Sequence, residues 1–192
     1  SWSNIKPLLG YGLPIFLMGM AGFANEQVDK LMIPALLPED FYPGKTSLAA
    51  LGIYGASFKL SIFMLLAIQA FRYAGEPFFF ANAENRQAPE LFAKVMLYFV
   101  IVCVFILLAV SLNIQLLGSI FLRQESYREA LYLVPVLLLG KLLFGIYINL
   151  SVWFKLVDKT LAGTYISIAG ASITILVNFL LIPRLGYAGS AL

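Results

Sequence analysis

The chain has 192 residues, 61% of them hydrophobic and only 12% charged. A water-soluble domain averages about 45–50% apolar and about 25% charged residues, so a soluble fold of this length has no interior large enough for so much apolar surface, and disorder, which needs low hydrophobicity, is excluded too. The net charge of +3 does not point to nucleic acid, because loop charges beside anionic lipid account for it.

Spanning a bilayer core takes about 20 apolar residues in a helix, and the sequence offers five such runs. The first covers 8–36 and carries Gly10, Gly12, Pro14, Gly19 and Gly22, a composition that favours bending. A connection at 38–45, with two prolines, a glycine and three charges, leads to a second run over 48–81. A polar segment at 83–90 precedes the third run, 92–117, and a short charged turn at 123–126 precedes the fourth, 127–154. After a tight turn at 155–160 the fifth run covers 161–182. Pro183 and Gly186 are expected to stop it, and a sixth helix is expected to start near Tyr187. No run alternates polar and apolar residues as a membrane barrel strand does. The expected fold is therefore an all-α polytopic membrane protein, one membrane domain over 1–192. The start at Ser1 and the apolar finish at Leu192 read as cuts in a longer chain.

Several chemistries drop out. There is no histidine, which excludes imidazole bases, His-ligated metals and Ser-His-Asp triads in this chain. The lone Cys103 lies in an apolar run and reads as a small hydrophobe. Gly44-Lys45-Thr46 resembles the end of a phosphate loop, but Glu39 stands where the first glycine belongs. Asn149-Leu150-Ser151 is a glycosylation triplet inside a span, and Phe78-Phe79-Phe80 reads as interfacial anchoring. No metal site and no cofactor is expected.

The informative residues are charges inside the apolar runs, where each costs about 2.5–3.5 kcal/mol at a helix centre and usually faces a bundle interior or an aqueous cavity. Beyond the first turn of each run, seven occur: Glu26, Asp29, Lys30, Lys59, Arg72, Glu76 and Lys141. Glu26 with Lys30, and Arg72 with Glu76, are spaced for ion pairs on one helix face; all five of Glu26, Asp29, Lys30, Arg72 and Glu76 also fit an interfacial position. Lys59 and Lys141 lie deeper. Lys59 lies eleven residues past Leu48 and thirteen before Arg72, at least about 16 Å from each, beyond the reach of snorkelling. Gln69, Arg72, Tyr73 and Glu76 fall within about 100° of helix surface, which suits a hydrated cavity wall. Gly163, Ser167, Gly170, Ala171, Thr174 and Asn178 form a small-residue stripe suited to close helix packing. For orientation, Lys6, Arg86, Lys94, Lys155 and Lys159 on one side face Lys45, Arg123, Arg128 and Arg184 on the other. That count leans toward a cytoplasmic N-terminal side.

Certain segments resemble one family. Tyr11-Gly12-Leu13-Pro14 and Asn25-Glu26-Gln27-Val28-Asp29-Lys30 are similar to the helix that opens the second half of bacterial polysaccharide flippases. Leu51-Gly52-Ile53-Tyr54-Gly55-Ala56-Ser57-Phe58-Lys59-Leu60 resembles that family's G-x-Y-x-x-A-x-K-L signature, continued by Gln69-Ala70-Phe71-Arg72-Tyr73-Ala74-Gly75-Glu76-Pro77. Pro183-Arg184-Leu185-Gly186-Tyr187-Ala188-Gly189-Ser190-Ala191 is similar to the P-x-x-G-x-x-G-A turn before its last core helix. The family is the polysaccharide transporter (Wzx-like) branch of the superfamily that also holds multidrug and toxin extrusion (MATE) antiporters and the lipid II flippase.

The resemblance implies the C-terminal six-helix lobe of a two-lobe transporter, short of its last helix, in a bacterial inner membrane. The missing first lobe, membrane lipids and glycan polymerase machinery would be its partners, with no nucleic acid. Its cargo would be a polyprenyl-diphosphate-linked oligosaccharide, an O-antigen or capsule repeat unit, moved to the outer leaflet by alternating access. Lys59, Arg72 and Lys141 would engage the cargo, with Gln69 and Tyr73 on the same cavity wall. Glu26, Asp29, Lys30 and Glu76 would serve in coupling or ion pairing. Two other activities compete: an ion-coupled multidrug antiporter of the same fold, and a membrane glycan polymerase or ligase, which would need a large extramembrane loop.

Overall fold

The computed structural model describes residues 2–83 and 87–191, with side chains from Leu8 onward. Ser1, residues 84–86 and Leu192 lie outside the described residues, as do the side chains of residues 2–7; two of the charges counted for orientation, Lys6 and Arg86, are therefore not placed. The described residues are helical and contain no strand. The helices are α1 (Trp2–Leu36), α2 (Ser47–Leu60), α3 (Ile62–Ala81), α4 (Ala88–Leu112), α5 (Ile114–Phe121), α6 (Val134–Leu156), α7 (Thr160–Leu185) and α8 (Tyr187–Ala191). Two 3₁₀ turns, Glu125–Arg128 and Leu131–Leu133, lead into α6. Four helical segments are long and apolar enough to cross a membrane, or five if the bent pair α2–α3 counts as one span. The chain is thus all-helical and suited to multiple membrane crossings.

Three boundaries differ from expectation. The second run breaks at Ser61, where α2 and α3 meet at 50°. The Ser61 hydroxyl donates to the Phe58 carbonyl at 2.6 Å, and such a bond competes with the helix's own ladder. The third run breaks at Asn113, whose side-chain amide donates back to the Ala109 carbonyl at 2.9 Å. Helix α7 continues through Pro183 and stops at Gly186 instead, whose φ of 63° and ψ of −145° suit only glycine.

Helices α1 and α7 run parallel, offset by about 150 residues: the Thr164 hydroxyl donates to the Pro14 carbonyl at 2.8 Å, and that of Thr174 donates to Asn25. The small-residue stripe makes this approach possible. A Cβ on Gly163 would stand 3.1 Å from the Met18 sulfur, while Ser167, Ala171 and Asn178 are buried. On the other flank, α3 and α4 pack on α6 through Met64, Ile68, Phe99, Cys103, Leu138 and Leu142. Gly145 lets Ile68 and Phe99 reach α6, for a Cβ there would meet both at 2.9 Å.

One end of the bundle is clasped by the α1–α2 connection. Tyr42 stacks on Tyr187 with ring centroids 4.6 Å apart, and Lys45 pairs with Glu129. Burial pushes the Tyr42 hydroxyl above its ordinary pKa, so the stack stays uncharged through the neutral range.

Candidate functional site: a charged chamber and groove

The packing leaves a chamber of about 300 Å³ among α1, α2, α6, α7 and α8. Glu26 and Asp29 enter it from α1, Tyr54 and Phe58 from α2, Lys141 from α6, and Asn178 from α7. Lys141 donates to Glu26 at 2.8 Å, with the two side chains 8% and 23% exposed. Asp29 is buried; it accepts the Tyr54 hydroxyl and the Lys30 backbone N–H at 2.7 Å. The Lys30 ammonium donates to Gln27 at 2.8 Å and stands 3.6 Å from the Phe58 ring centroid. Lys141 stands 4.3 Å from the same centroid. Two carboxylates and two ammonium groups thus balance in one cluster, the condition under which charge is tolerated inside an apolar bundle. Asn178 Oδ1 and Ser190 Oγ are buried without a hydrogen-bond partner.

A groove of about 300 Å³ lies beside the chamber, between α1, α3 and α6. Gln69, Arg72, Glu76 and Lys155 line it. Glu76 accepts a hydrogen bond from Lys155 and lies 3.9 Å from the Arg72 Nε. Glu26 and Phe144 border both groove and chamber, and Phe144 also borders a third cleft beside Asn25 and Gly140. A chain of charged side chains therefore runs from the α3–α6 end of the bundle to its middle.

The structure corrects two assignments. The Glu26–Lys30 pair that i,i+4 spacing suggests is not formed: Glu26 reaches across to Lys141, and Lys30 bonds Gln27. The buried Lys141 ammonium needs a carboxylate partner, and the half-buried Glu26 supplies it. Lys155, counted as a loop charge, instead bonds Glu76 in the groove. Asp29 is buried within the bundle. Arg72–Glu76 forms as the spacing implies. Lys59 is exposed in the last turn of α2 and does not line the chamber or groove. Tyr73 is 78% exposed on α3 and does not line the groove that takes Gln69, Arg72 and Glu76.

Sequence reasoning missed Tyr54, Phe58 and Phe144, which look like ordinary membrane aromatics. The available signal was the i,i+4 spacing of Tyr54 and Phe58 on a helix with Lys59 in its last turn. Nothing in the sequence separates Phe144 from its apolar neighbours.

No protein-family model, no curated protein and no solved structure matches the chain. Fold and site together define a class only: an all-helical chain with helices fit to cross a membrane and a charged chamber among them.

Proposed function

We propose that this chain is part of a flippase that moves a polyprenyl-diphosphate-linked oligosaccharide between bilayer leaflets, as the second lobe of a MATE-like transporter in a bacterial inner membrane. The observation that carries this is the charged track itself: Gln69, Arg72, Glu76 and Lys155 in a groove that meets Glu26 and Lys141. A diphosphate headgroup cannot cross about 30 Å of hydrocarbon without such shielding. Arg72 offers a planar fork for phosphate oxygens and Lys155 a point charge. The exposed Lys59 and Arg72 support a covering lobe or aqueous lumen, because a lipid-facing cation at this depth costs about 2.5–3.5 kcal/mol.

The proposal is tested in spheroplasts carrying the full protein, by labelling outer-leaflet glycan with a membrane-impermeant reagent. Outer-leaflet glycan is expected to vanish on deletion and to fall with Arg72→Ala and Lys59→Ala. Unchanged sidedness on deletion removes the glycan cargo.

A second activity, ion-coupled antiport, is favoured by one specific feature. Glu26, Asp29, Asn178 Oδ1 and Ser190 Oγ give one wall of the chamber an excess of oxygens. Under that activity Glu26→Gln shifts the pH or sodium dependence of drug efflux while glycan sidedness stays fixed. A polymerase or ligase fits poorly: the connections between described helices are short, the longest covering 122–133.

A further inference from the structure

We propose that Phe58 is a positioning residue, whose ring, set by the bend between α2 and α3, holds the Lys30 and Lys141 ammonium groups in place at the chamber. Both ammonium nitrogens lie within 4.3 Å of the ring centroid, inside the roughly 6 Å over which an aromatic face attracts a cation. Each ammonium has three donors. The structure gives Lys141 one acceptor, Glu26, and Lys30 one acceptor, the neutral Gln27. No carboxylate oxygen is bonded to the Lys30 ammonium, so the groups in direct contact with it are Gln27 and the electron-rich face of Phe58. Like charges gathered at one ring repel, and the attractive face of Phe58 adds to the Glu26 and Gln27 hydrogen bonds in holding both near the chamber.

The backbone of Phe58 is part of the bend. Its carbonyl accepts the Ser61 N–H at 3.1 Å and the Ser61 hydroxyl at 2.6 Å. One turn earlier, Tyr54 tilts against the Phe58 ring at 6.2 Å and donates to Asp29. Two aromatic residues one turn apart thus tie three of the four chamber charges to the last turn of α2, and the fourth, Glu26, follows through Lys141. A change in the bend would move positive charge in the chamber.

The test uses the full-length protein in detergent micelles with ¹³C-labelled lysine, with the Lys30 and Lys141 signals assigned by Lys30→Arg and Lys141→Arg. Ring-current shielding is expected to move the ε-methylene protons of both lysines upfield. Phe58→Leu, close in volume but without the ring, is expected to return both to ordinary positions and leave the other lysine signals unchanged. Phe58→Tyr is expected to keep them upfield. In the transport assay, Phe58→Leu is expected to lower flipping about five- to tenfold and Phe58→Tyr to restore it. Unshifted lysines in the wild type, or shifts lost in Phe58→Leu with flipping unchanged, would overturn the proposal. The transport readout rests on the flippase function proposed above. Absence of glycan flipping in the wild type overturns that function, while the lysine shifts still test the positioning role.

Discussion

The hydrogen bond between Lys141 and Glu26 joins helices 115 residues apart in sequence. A buried pair of this kind is weak evidence for stability, but breaking it is costly, since one charge is then stranded. Glu26→Gln or Lys141→Met alone is expected to destabilise the folded protein by about 3–5 kcal/mol, read as a lower unfolding temperature in detergent. The double substitution is expected to recover most of that loss. A double variant as unstable as the sum of the singles would show that the two groups do not depend on each other. At the same scale, Phe144 is the one aromatic that borders chamber, groove and third cleft. In a Cys103→Ala background, Phe144→Ala is expected to raise the rate at which a hydrophilic thiol reagent modifies Leu137→Cys, a buried chamber position. An unchanged rate would mean that Phe144 separates nothing. The presence of charges in the spans was legible in the sequence, because each one is expensive there. Their partners were not, because pairing between Glu26 and Lys141 depends on how α1 and α6 lie together, and local spacing offered Lys30 as a nearer candidate.

Among the elements, the glycines divide into those that touch a neighbour and those that do not. Gly19 has nothing within 4 Å of its added Cβ, and the α1 backbone there is regular helix. Gly19→Ala is therefore expected to keep or slightly raise stability, by up to about 1 kcal/mol from helix propensity. If bending of α1 serves transport, Gly19→Ala combined with Pro14→Ala slows flipping more than cargo binding; unchanged flipping would remove α1 as a bending element. Gly186 is the opposite case. Its φ of 63° strains any side chain, and the new Cβ would collide with the Tyr42 hydroxyl and lie 2.8 Å from Phe41. Gly186→Ala is expected to cost about 1–3 kcal/mol and to loosen the Tyr42–Tyr187 stack, seen as faster proteolysis in the 38–45 connection. The spans themselves were readable because apolar length marks them. The break at Ser61 was not, since no proline or glycine flanks it and a single hydroxyl-to-carbonyl bond accompanies the turn. Pro183 misled for a related reason: α7 carries a proline in its last turn and is ended by the backbone of Gly186 instead.

For the molecule as a whole, the bent pair decides the number of crossings. Helix α3 is about 30 Å long and α2 about 21 Å. At a 50° bend, α2 still advances about 13 Å along the α3 axis, so the pair covers about 43 Å. That exceeds the roughly 30 Å hydrocarbon core, whereas a re-entrant loop must turn back. Lys45 and Asn82 are accordingly expected on opposite faces, with Lys45 beside Glu129. Single cysteines at Lys45 and Asn82 in the Cys103→Ala background, probed with an impermeant maleimide on spheroplasts and on inverted vesicles, check this. Labelling of the two from opposite sides makes α2–α3 a span. Labelling from one side makes the pair re-entrant and removes one crossing. The same experiment fixes orientation: the sequence lean of five Lys and Arg against four includes Lys155, which is bound to Glu76 in the groove. If Asn82 labels only in inverted vesicles, the N-terminal side is cytoplasmic, as the sequence leaned. The Arg72–Glu76–Lys155 end of the groove would then face the leaflet in which a lipid-linked glycan is assembled under the proposed function. If Asn82 labels on spheroplasts instead, that end faces outward and the groove would serve release rather than loading.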